Sequence, residues 1–277
     1  MIQSITFFDA KTFKEIKVDS ESKTEDDKKD KEKTVKKNTW DDWKILSTER
    51  PVFAPPKPKT TYIDIPGGNG ALDLSESLTG YPIYENRTGS FKFRVMNDYV
   101  EWHERYTEIM EYLHGRSMIA ALADDPNYFY KGRFSVDSWE SGDTWSQITI
   151  GYTVDPYKWH VLSSVDPWLW DTFNFEKDII WQQTFSDIVI NSPSSWTECN
   201  FDGVLFGKSP ISPIFNVANS SGLTVRFIND YLGIDETVYL KDGENEIPDF
   251  VFYGQSSYAL MFKGIGTVSI EFRVGRL

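Results

Sequence analysis

The amino-acid sequence predicts a mainly β protein: an antiparallel β N-terminal half with one α-helix, followed by a C-terminal β-sandwich or jelly-roll-like domain. Segments such as FKFRVM (residues 91–96) alternate apolar and polar side chains with the period of a strand. Residues 97–115 instead carry apolar side chains at helical spacing. Beyond residue 159, strand-like segments follow one another at short intervals, as in sandwich or jelly-roll-like domains. We therefore expect two domains, residues 1–159 and 160–277.

The composition supports folded domains and sets limits on their chemistry. The chain has 277 residues, of which 40% are hydrophobic and 16% aromatic, so it can build a sizeable core. The single cysteine, Cys199, excludes a disulfide framework and a cysteine-rich metal site. The N-terminal stretch has no apolar region typical of a signal peptide, and no segment approaches the length of a membrane span. These features predict a soluble protein made in a cytoplasm.

The charge pattern disfavours nucleic-acid binding. The net charge is −13, whereas a protein that grips a phosphate backbone needs an excess of Lys and Arg. Residues 19–37 contain almost no apolar side chain, so we expect a mobile charged loop there. A tail that binds a charged partner is the alternative. Acids and lysines roughly cancel within this segment, which places the acidic excess on the folded parts.

The predicted helix follows the strand at residues 91–96. Asn97 or Asp98 can cap its N-terminus, and Gly115 can end it. Spacings of four, three and four residues place its large apolar side chains on one stripe, which we expect to pack against the sheet: Trp102, Tyr106, Ile109 and Leu113.

The remaining strands of the first domain are predicted on both sides of this helix. Residues 118–123 (MIAALA) are typical of a buried strand, and an ESGD turn joins two alternating segments into an antiparallel hairpin ending at residue 154. Residues 60–65 alternate like a strand and precede the PGGNG turn. The proline-rich segment RPVFAPPKPKT, residues 50–60, should be extended and too irregular for a core, and we expect it to reach toward a neighbouring molecule.

In the second domain, alternation predicts strands separated by turns. They lie at residues 186–191, 223–229, 236–242, 250–254, 258–264 and 267–275.

No sequence pattern predicts catalysis or a cofactor. The segment GVLFGKS (203–209) is similar to a phosphate loop, but its glycine spacing fails and Pro210 replaces the required helix start, which favours a turn. Asp124 and Asp125 precede Pro126 and indicate a turn rather than a catalytic acid pair. Neither Cys199 nor the histidines show the spacing of a nucleophile or metal site; the histidines are His103, His114 and His160. We predict no catalytic, cofactor-binding or metal residues, and a protein that is not an enzyme, with a β-sandwich hydrolase as a remote alternative.

Tryptophans form the main non-catalytic signal. They cluster around the start of the second domain, at Trp159, Trp168, Trp170, Trp181 and Trp196. Such rings pack domain junctions and subunit interfaces, or stack on sugars. The sequence favours the junction and interface interpretation over the sugar platform.

Part of the chain resembles a known family. The stretch DIPGGNGALDLSESLTGYPIYENRTGSFKF (64–93), the helix with LHG at 113–115, ADDPNYFYKGRF (123–134) and DPYKW (155–159) follow one another in a specific order. This order is similar to the distal tail protein (Dit) family of siphophages, the long-tailed, non-contractile phages. The resemblance covers roughly the N-terminal half. The C-terminal half matches only in character, as a compact β-sandwich of the galectin-like type.

The resemblance implies a structural hub of a phage or prophage tail tip. It implies a tail-tube-like first domain, a β-sandwich with one flanking α-helix. Six copies of this domain would form a ring, either single or stacked, around the DNA channel. The ring would join the tail tube protein to baseplate, tape-measure, tail-associated and receptor-binding proteins, with no cofactor and no membrane. DNA would pass through the lumen without specific binding, since acidic walls repel phosphates. The expected location is the distal end of the virion tail, after assembly in the bacterial host cytoplasm.

This sequence departs from the family in the 19–37 segment and in a second domain too short for added carbohydrate modules. A carbohydrate-binding module that contacts the host cell surface is the alternative function.

Overall fold

The computed structural model describes residues 3–10, 36–96, 101–165, 185–199, 209–230, 232–254 and 258–277. The chain divides into two compact units, residues 1–158 together with Leu277, and residues 159–276. Among the described residues the fold is mainly β with one α-helix, which confirms the predicted fold class.

The first unit is built on one antiparallel sheet. Its strands are joined in the order β2–β1–β7–β8–β9–β6–β3, and β4 and β5 form a separate hairpin. The strands are β1 (Ile5–Asp9), β2 (Lys36–Asn38), β3 (Ile45–Ser47), β4 (Tyr62–Asp64), β5 (Ala71–Asp73), β6 (Arg87–Val95), β7 (Arg116–Leu122), β8 (Tyr128–Ser141) and β9 (Ser146–Val154). The predicted hairpin is confirmed: β8 pairs with β9, and the Gly142 amide donates to the Trp145 carbonyl at 2.8 Å.

The helix α1 (Trp102–Leu113) packs on the core of this sheet as predicted. Ile109 and Leu113 are fully buried, while Trp102 and Tyr106 are partly buried against the same cluster. The expected caps Asn97 and Asp98 lie outside the described residues. The residue at the N-cap position is Glu101, whose side chain makes no capping hydrogen bond.

The helix ends where the sequence predicts. Gly115 has φ +72°, a conformation that glycine adopts without steric cost, and its amide donates to the Phe134 carbonyl at 2.7 Å.

One end of the predicted charged loop is instead a strand. Residues 19–35 lie outside the described residues, but Lys36 and Lys37 belong to β2, which pairs with β1. The Lys37 ammonium also lies 3.1 Å from the Glu108 carboxylate on α1. The mobile-loop prediction is therefore wrong at these two residues, because backbone pairing to an edge strand does not require apolar side chains.

The second unit holds a five-stranded antiparallel sheet. Its order is β11–β15–β12–β13, with β14 also pairing with β12. Its strands are β11 (Ile188–Cys199), β12 (Ile214–Asn229), β13 (Ile234–Tyr239), β14 (Gly243–Glu246) and β15 (Tyr258–Glu271). Two short strands outside this sheet, β10 (Lys158–His160) and β16 (Gly275–Arg276), pair with each other. The fully buried side chains of its core are mainly phenylalanines, among them Phe215, Phe227, Phe250 and Phe262.

Three predicted strands differ from the structure. The segments 258–264 and 267–275 are not two strands, because β15 runs unbroken from Tyr258 to Glu271. The pairing of β15 with β12 shifts register at Gly264 and Gly266, which have φ +123° and +157°, because β12 carries an extra residue opposite each of them, and β15 continues through both. Residues 250–254 contribute only an isolated bridge between Ile211 and Phe252, since their phenylalanines turn into the core instead of forming a ladder.

Candidate assembly surface

A two-stranded ribbon, residues 57–85, is the feature of the first unit that stands apart from its core; we call it the arm. Near its base the Glu85 amide donates to the Lys57 carbonyl, and the Lys59 amide to the Ile83 carbonyl, both at 2.8 Å. Further out, the Leu74 amide donates to the Thr61 carbonyl at 2.9 Å. The tip is the β4–β5 hairpin, which has the strand and turn that the sequence predicts at residues 60–70.

The tip of the arm is amphipathic. Ile63 lies opposite Leu72 across the hairpin, and side chains two residues apart on a strand share a face, which adds Ile65. The opposite face carries Asp73 opposite Tyr62 and Asp64 opposite Ala71. One face of the ribbon is therefore apolar, and the other carries two carboxylates beside a tyrosine and an alanine.

This apolar face is solvent-exposed in the single chain. Ile63, Ile65 and Leu72 are 52%, 50% and 50% exposed, and Leu78 of the same arm is 90% exposed. An isolated two-stranded hairpin is at best marginally stable in water, and clustered exposed apolar side chains mark interaction surfaces. These exposed side chains make the tip of the arm a candidate interaction surface.

The base of the arm is anchored by the segment Pro51–Ala54, which we call the strap. Phe53 is 3% exposed and stacks on Tyr130, with ring centroids 3.9 Å apart. Its ring also meets Phe91 edge-on at 5.1 Å. The expectation that the proline-rich segment stays out of the core is wrong at this point, because proline fixes an extended backbone that can still direct one aromatic ring inward.

Polar contacts lock the same strap. The Ala54 amide donates to the Tyr152 hydroxyl at 2.8 Å, and the buried Arg87 donates from Nη1 to the Ala54 carbonyl at 3.1 Å. Arg87 Nε donates to the Pro156 carbonyl at 2.8 Å, and its guanidinium lies over the Tyr130 ring at 5.5 Å. Burial lowers the pKa of Arg87 and raises the pKa of Tyr130. These contacts fix the point from which the arm departs.

A glycine allows this arrangement. A Cβ at Gly89 would lie 2.4 Å from the Tyr152 hydroxyl oxygen, so the tyrosine reaches the strap only because that position has no side chain.

The arm also stabilises its own turn. The Ser75 amide donates to Asp73 Oδ1 at 2.9 Å, and the Ser75 hydroxyl donates to the same oxygen. These hydrogen bonds lower the pKa of Asp73. The Ser75 hydroxyl oxygen in turn accepts from the Thr61 amide at 2.9 Å, which ties the two sides of the ribbon together.

The three histidines lie in separate places and have structural contacts. The His103 ring meets Trp139 edge-on at 4.7 Å. His114 Nδ1 accepts from the Val136 amide, and His160 Nδ1 accepts from the Leu162 amide, both at 3.1 Å. Within the described ranges, no group of three His, Cys, Asp or Glu residues is placed to hold a metal ion.

The adjacent aspartates form separate ion pairs instead of a pair of acids. Asp124 lies 2.6 Å from Arg50, and Asp125 lies 2.6 Å from Lys158. The predicted turn is present, since the Asp125 amide donates to the carbonyl of Leu122 at the end of β7.

Cys199 and the phosphate-loop-like segment belong to the second unit. Burial raises the pKa of the Cys199 thiol to about 11, which disfavours the nucleophilic thiolate. Residues 203–208 of GVLFGKS lie outside the described residues; Ser209 is buried and donates to the Gly275 carbonyl at 2.6 Å. In the part of the chain that the structure describes, no helix is long and apolar enough to cross a membrane.

The tryptophan cluster is described only in part. Trp168, Trp170 and Trp181 lie outside the described residues. Trp196 is 37% exposed on β11.

Sequence reasoning missed the anchoring role of Phe53 and Arg87. Phe53 is a lone aromatic side chain between prolines, and Arg87 is a single cation in a turn-like NRT segment. A large aromatic ring in a proline-rich stretch is the one signal that could have indicated burial.

Comparison with known proteins gives a weak structural likeness. No family model matches the chain, and no curated protein matches its sequence. Among solved structures, the chain is similar to the crystal structure of SPP1 Dit (gp 19.1), described as a paradigm of the hub adsorption apparatus in phages that infect Gram-positive bacteria. The match covers 84% of this chain and 94% of that one, at 13% identity and a TM-score of 0.44.

Proposed function

We propose that this chain is a structural subunit of a phage or prophage tail tip, in which identical copies form a closed ring through their first units. The ring, most simply of six copies, joins the tail tube to baseplate and receptor-binding proteins around the DNA channel. The chain acts as an architectural component of the virion and not as an enzyme.

The observation that carries this proposal is the exposed apolar face of the arm. Its side chains are unfavourable in water, and the strap holds the arm in place, so little conformational entropy is lost when the arm docks. The Dit-like stretch of sequence, residues 64–93, includes Ile65, Leu72 and Leu78 of this arm but begins one residue after Ile63. The interaction surface and the resemblance to ring-forming proteins thus overlap over most of the tip.

An open sheet edge is a candidate acceptor for the arm. On the side of β6 away from β9, β3 pairs only with Phe93–Val95, so no described strand pairs with Thr88–Ser90 on that side. These three residues are exposed. Unpaired strand edges bind further strands, and a head-to-tail contact between identical chains produces a ring if the rotation closes.

The test is assembly across a concentration series, followed by light scattering and negative-stain imaging. We expect closed rings with a central hole at high concentration. In the double variant Ile63→Ser, Leu72→Ser we expect monomers with an unchanged melting temperature, because both side chains are exposed in the single chain. Val189→Ser is the matched control, since Val189 is an apolar side chain that is 75% exposed on the second unit.

Cross-linking tests the acceptor edge directly. The double variant Ile63→Cys, Ser90→Cys should give a disulfide-linked ladder of oligomers under mild oxidation, while either single variant should not. A strict monomer at every concentration, or rings that survive the Ile63→Ser, Leu72→Ser change, would refute the arm-mediated ring.

A further inference from the structure

The outer face of the second unit's sheet carries a row of polar and aromatic side chains, which we call the row: Trp196, Lys263, Arg226, Asp235 and Tyr239. Core residues alternate along β12 and β15, with Val225, Phe227 and Phe262 facing inward. Arg226 on β12 and Lys263 on β15 lie between such core positions, so both side chains face outward.

A bulge in β11 adds Trp196 to this row. Ser192 lies opposite Gly264 and Thr197 opposite Phe262. On β15, Lys263 is therefore the one residue that lies opposite the four residues 193–196 of β11. Bulges of this kind change the direction of a side chain. The centre of the Trp196 ring lies 6.0 Å from Arg226 Cζ and 6.0 Å from Lys263 Nζ.

Arg226 is held in place by Asp235 on β13. Arg226 Nε and Nη2 donate to the two carboxylate oxygens at 2.7 and 2.6 Å. Such two-point contact fixes the plane of the guanidinium. The row therefore offers a fixed guanidinium and the Lys263 ammonium as donors, beside a carboxylate acceptor.

A second aromatic side chain ends the row at the opposite edge of the sheet. Tyr239 on β13 is 77% exposed and pairs across the strands with Thr224, which itself pairs with Lys263. Three strand spacings separate β11 from β13, so the two rings lie on strands about 14 Å apart.

We propose that this face binds a chain of neutral sugar residues, with Trp196 and Tyr239 as stacking platforms. Aromatic rings provide flat apolar surfaces for the C–H faces of sugar rings, while hydroxyl groups need both donors and acceptors. Lys263 and Arg226 supply donors and Asp235 supplies an acceptor. An acidic glycan would meet Asp235 and Glu198 on the same face, which disfavours it. This binding is independent of ring formation by the first unit.

The test uses the full chain with a panel of soluble neutral oligosaccharides: cellohexaose, maltohexaose and chitohexaose. Saturation-transfer NMR should detect binding of at least one through its C–H protons, and titration calorimetry gives the affinity. Trp196→Ala should weaken binding by about tenfold or more, as for a central interface aromatic. Tyr239→Ala should weaken it less, and Trp196→Phe should retain most of it.

Trp145→Ala is the matched control, because Trp145 is 41% exposed on the first unit and should not affect sugar binding. Thermal melts check that each variant folds; if Trp196→Ala does not, Trp196→Phe and Tyr239→Ala carry the test. Binding unchanged at high salt supports a neutral ligand. No binding across the panel, equal loss in Trp145→Ala, or binding only to an acidic hexauronate that high salt abolishes would each overturn the proposal.

Discussion

Phe53 and Ile63 lie ten residues apart in the same stretch of chain, and the structure treats them in opposite ways. Phe53 is 3% exposed and contacts four core aromatic rings, whereas Ile63 is 52% exposed at the tip of the arm. Both are large and apolar, so hydrophobicity alone does not decide their burial. The contrast indicates that the strap contributes to the stability of the single chain, while the tip contributes only when another surface covers it.

The largest expected effect is at the strap. Phe53→Ala should destabilise the first unit by about 3–5 kcal/mol, because it removes a buried aromatic ring and leaves a cavity. Ile63→Ala in the monomer is the matched comparison and should have almost no effect. Chemical denaturation measured on both variants checks this, and a loss below about 1 kcal/mol for Phe53→Ala would show that the strap is not part of the core.

Two leucines, one on the helix α1 and one at the tip of the arm, allow the same comparison between a buried and an exposed apolar side chain. Leu113 at the end of α1 is fully buried, so Leu113→Ala should cost about 2–5 kcal/mol. Leu72→Ala at the tip should change monomer stability by less than about 0.5 kcal/mol. The same substitution thus separates folding from assembly. Equal losses in the two variants would contradict the distinction between the core of the first unit and the tip of the arm.

The contrast between Phe53 and Ile63 also shows which features of the structure the sequence can predict. Regular periodicity identified α1 and the β8–β9 hairpin, because each element buries one face and the pattern records it. No periodicity marks the strap, since a single aromatic ring enters the core from an irregular backbone. The arm's strand and turn were predicted, but the exposure of its apolar face depends on tertiary structure. Of the row that we propose as a sugar site, the sequence indicated only Trp196, because Arg226, Lys263 and Asp235 meet through strand register.

Arg87 offers a smaller test of the strap. Arg87→Met keeps much of the side-chain volume but leaves the carbonyls of Ala54 and Pro156 without their donors. We expect a loss of about 1–3 kcal/mol, the cost of unsatisfied buried polar groups. Arg87→Lys should recover part of it, with one donor group in place of a planar fork. The measurement is again denaturant unfolding, and a neutral Arg87→Met would show that water replaces the guanidinium.

The smallest expected effect concerns the turn at the tip, which should respond to pH differently from the base. Hydrogen bonds from Ser75 lower the pKa of Asp73 in the folded chain. The stabilisation from this carboxylate is therefore present above its unfolded pKa and is lost as the pH falls through the folded value.

At the base of the arm, burial raises the pKa of Tyr130. The stabilisation from the neutral tyrosine is therefore present below the unfolded pKa of tyrosine and is lost as the pH rises toward the folded value.

Carboxyl NMR titration of Asp73 measures the effect at the tip. Ser75→Ala should move the pKa of Asp73 up toward its usual value, because the hydroxyl donor is removed. Ser77→Ala is the matched control: the Ser77 hydroxyl donates to the Leu74 carbonyl at 2.8 Å in the same turn, and the change should leave the pKa of Asp73 as it is. If both variants raised it equally, the turn as a whole, and not the Ser75 contact, would hold the arm's tip in shape.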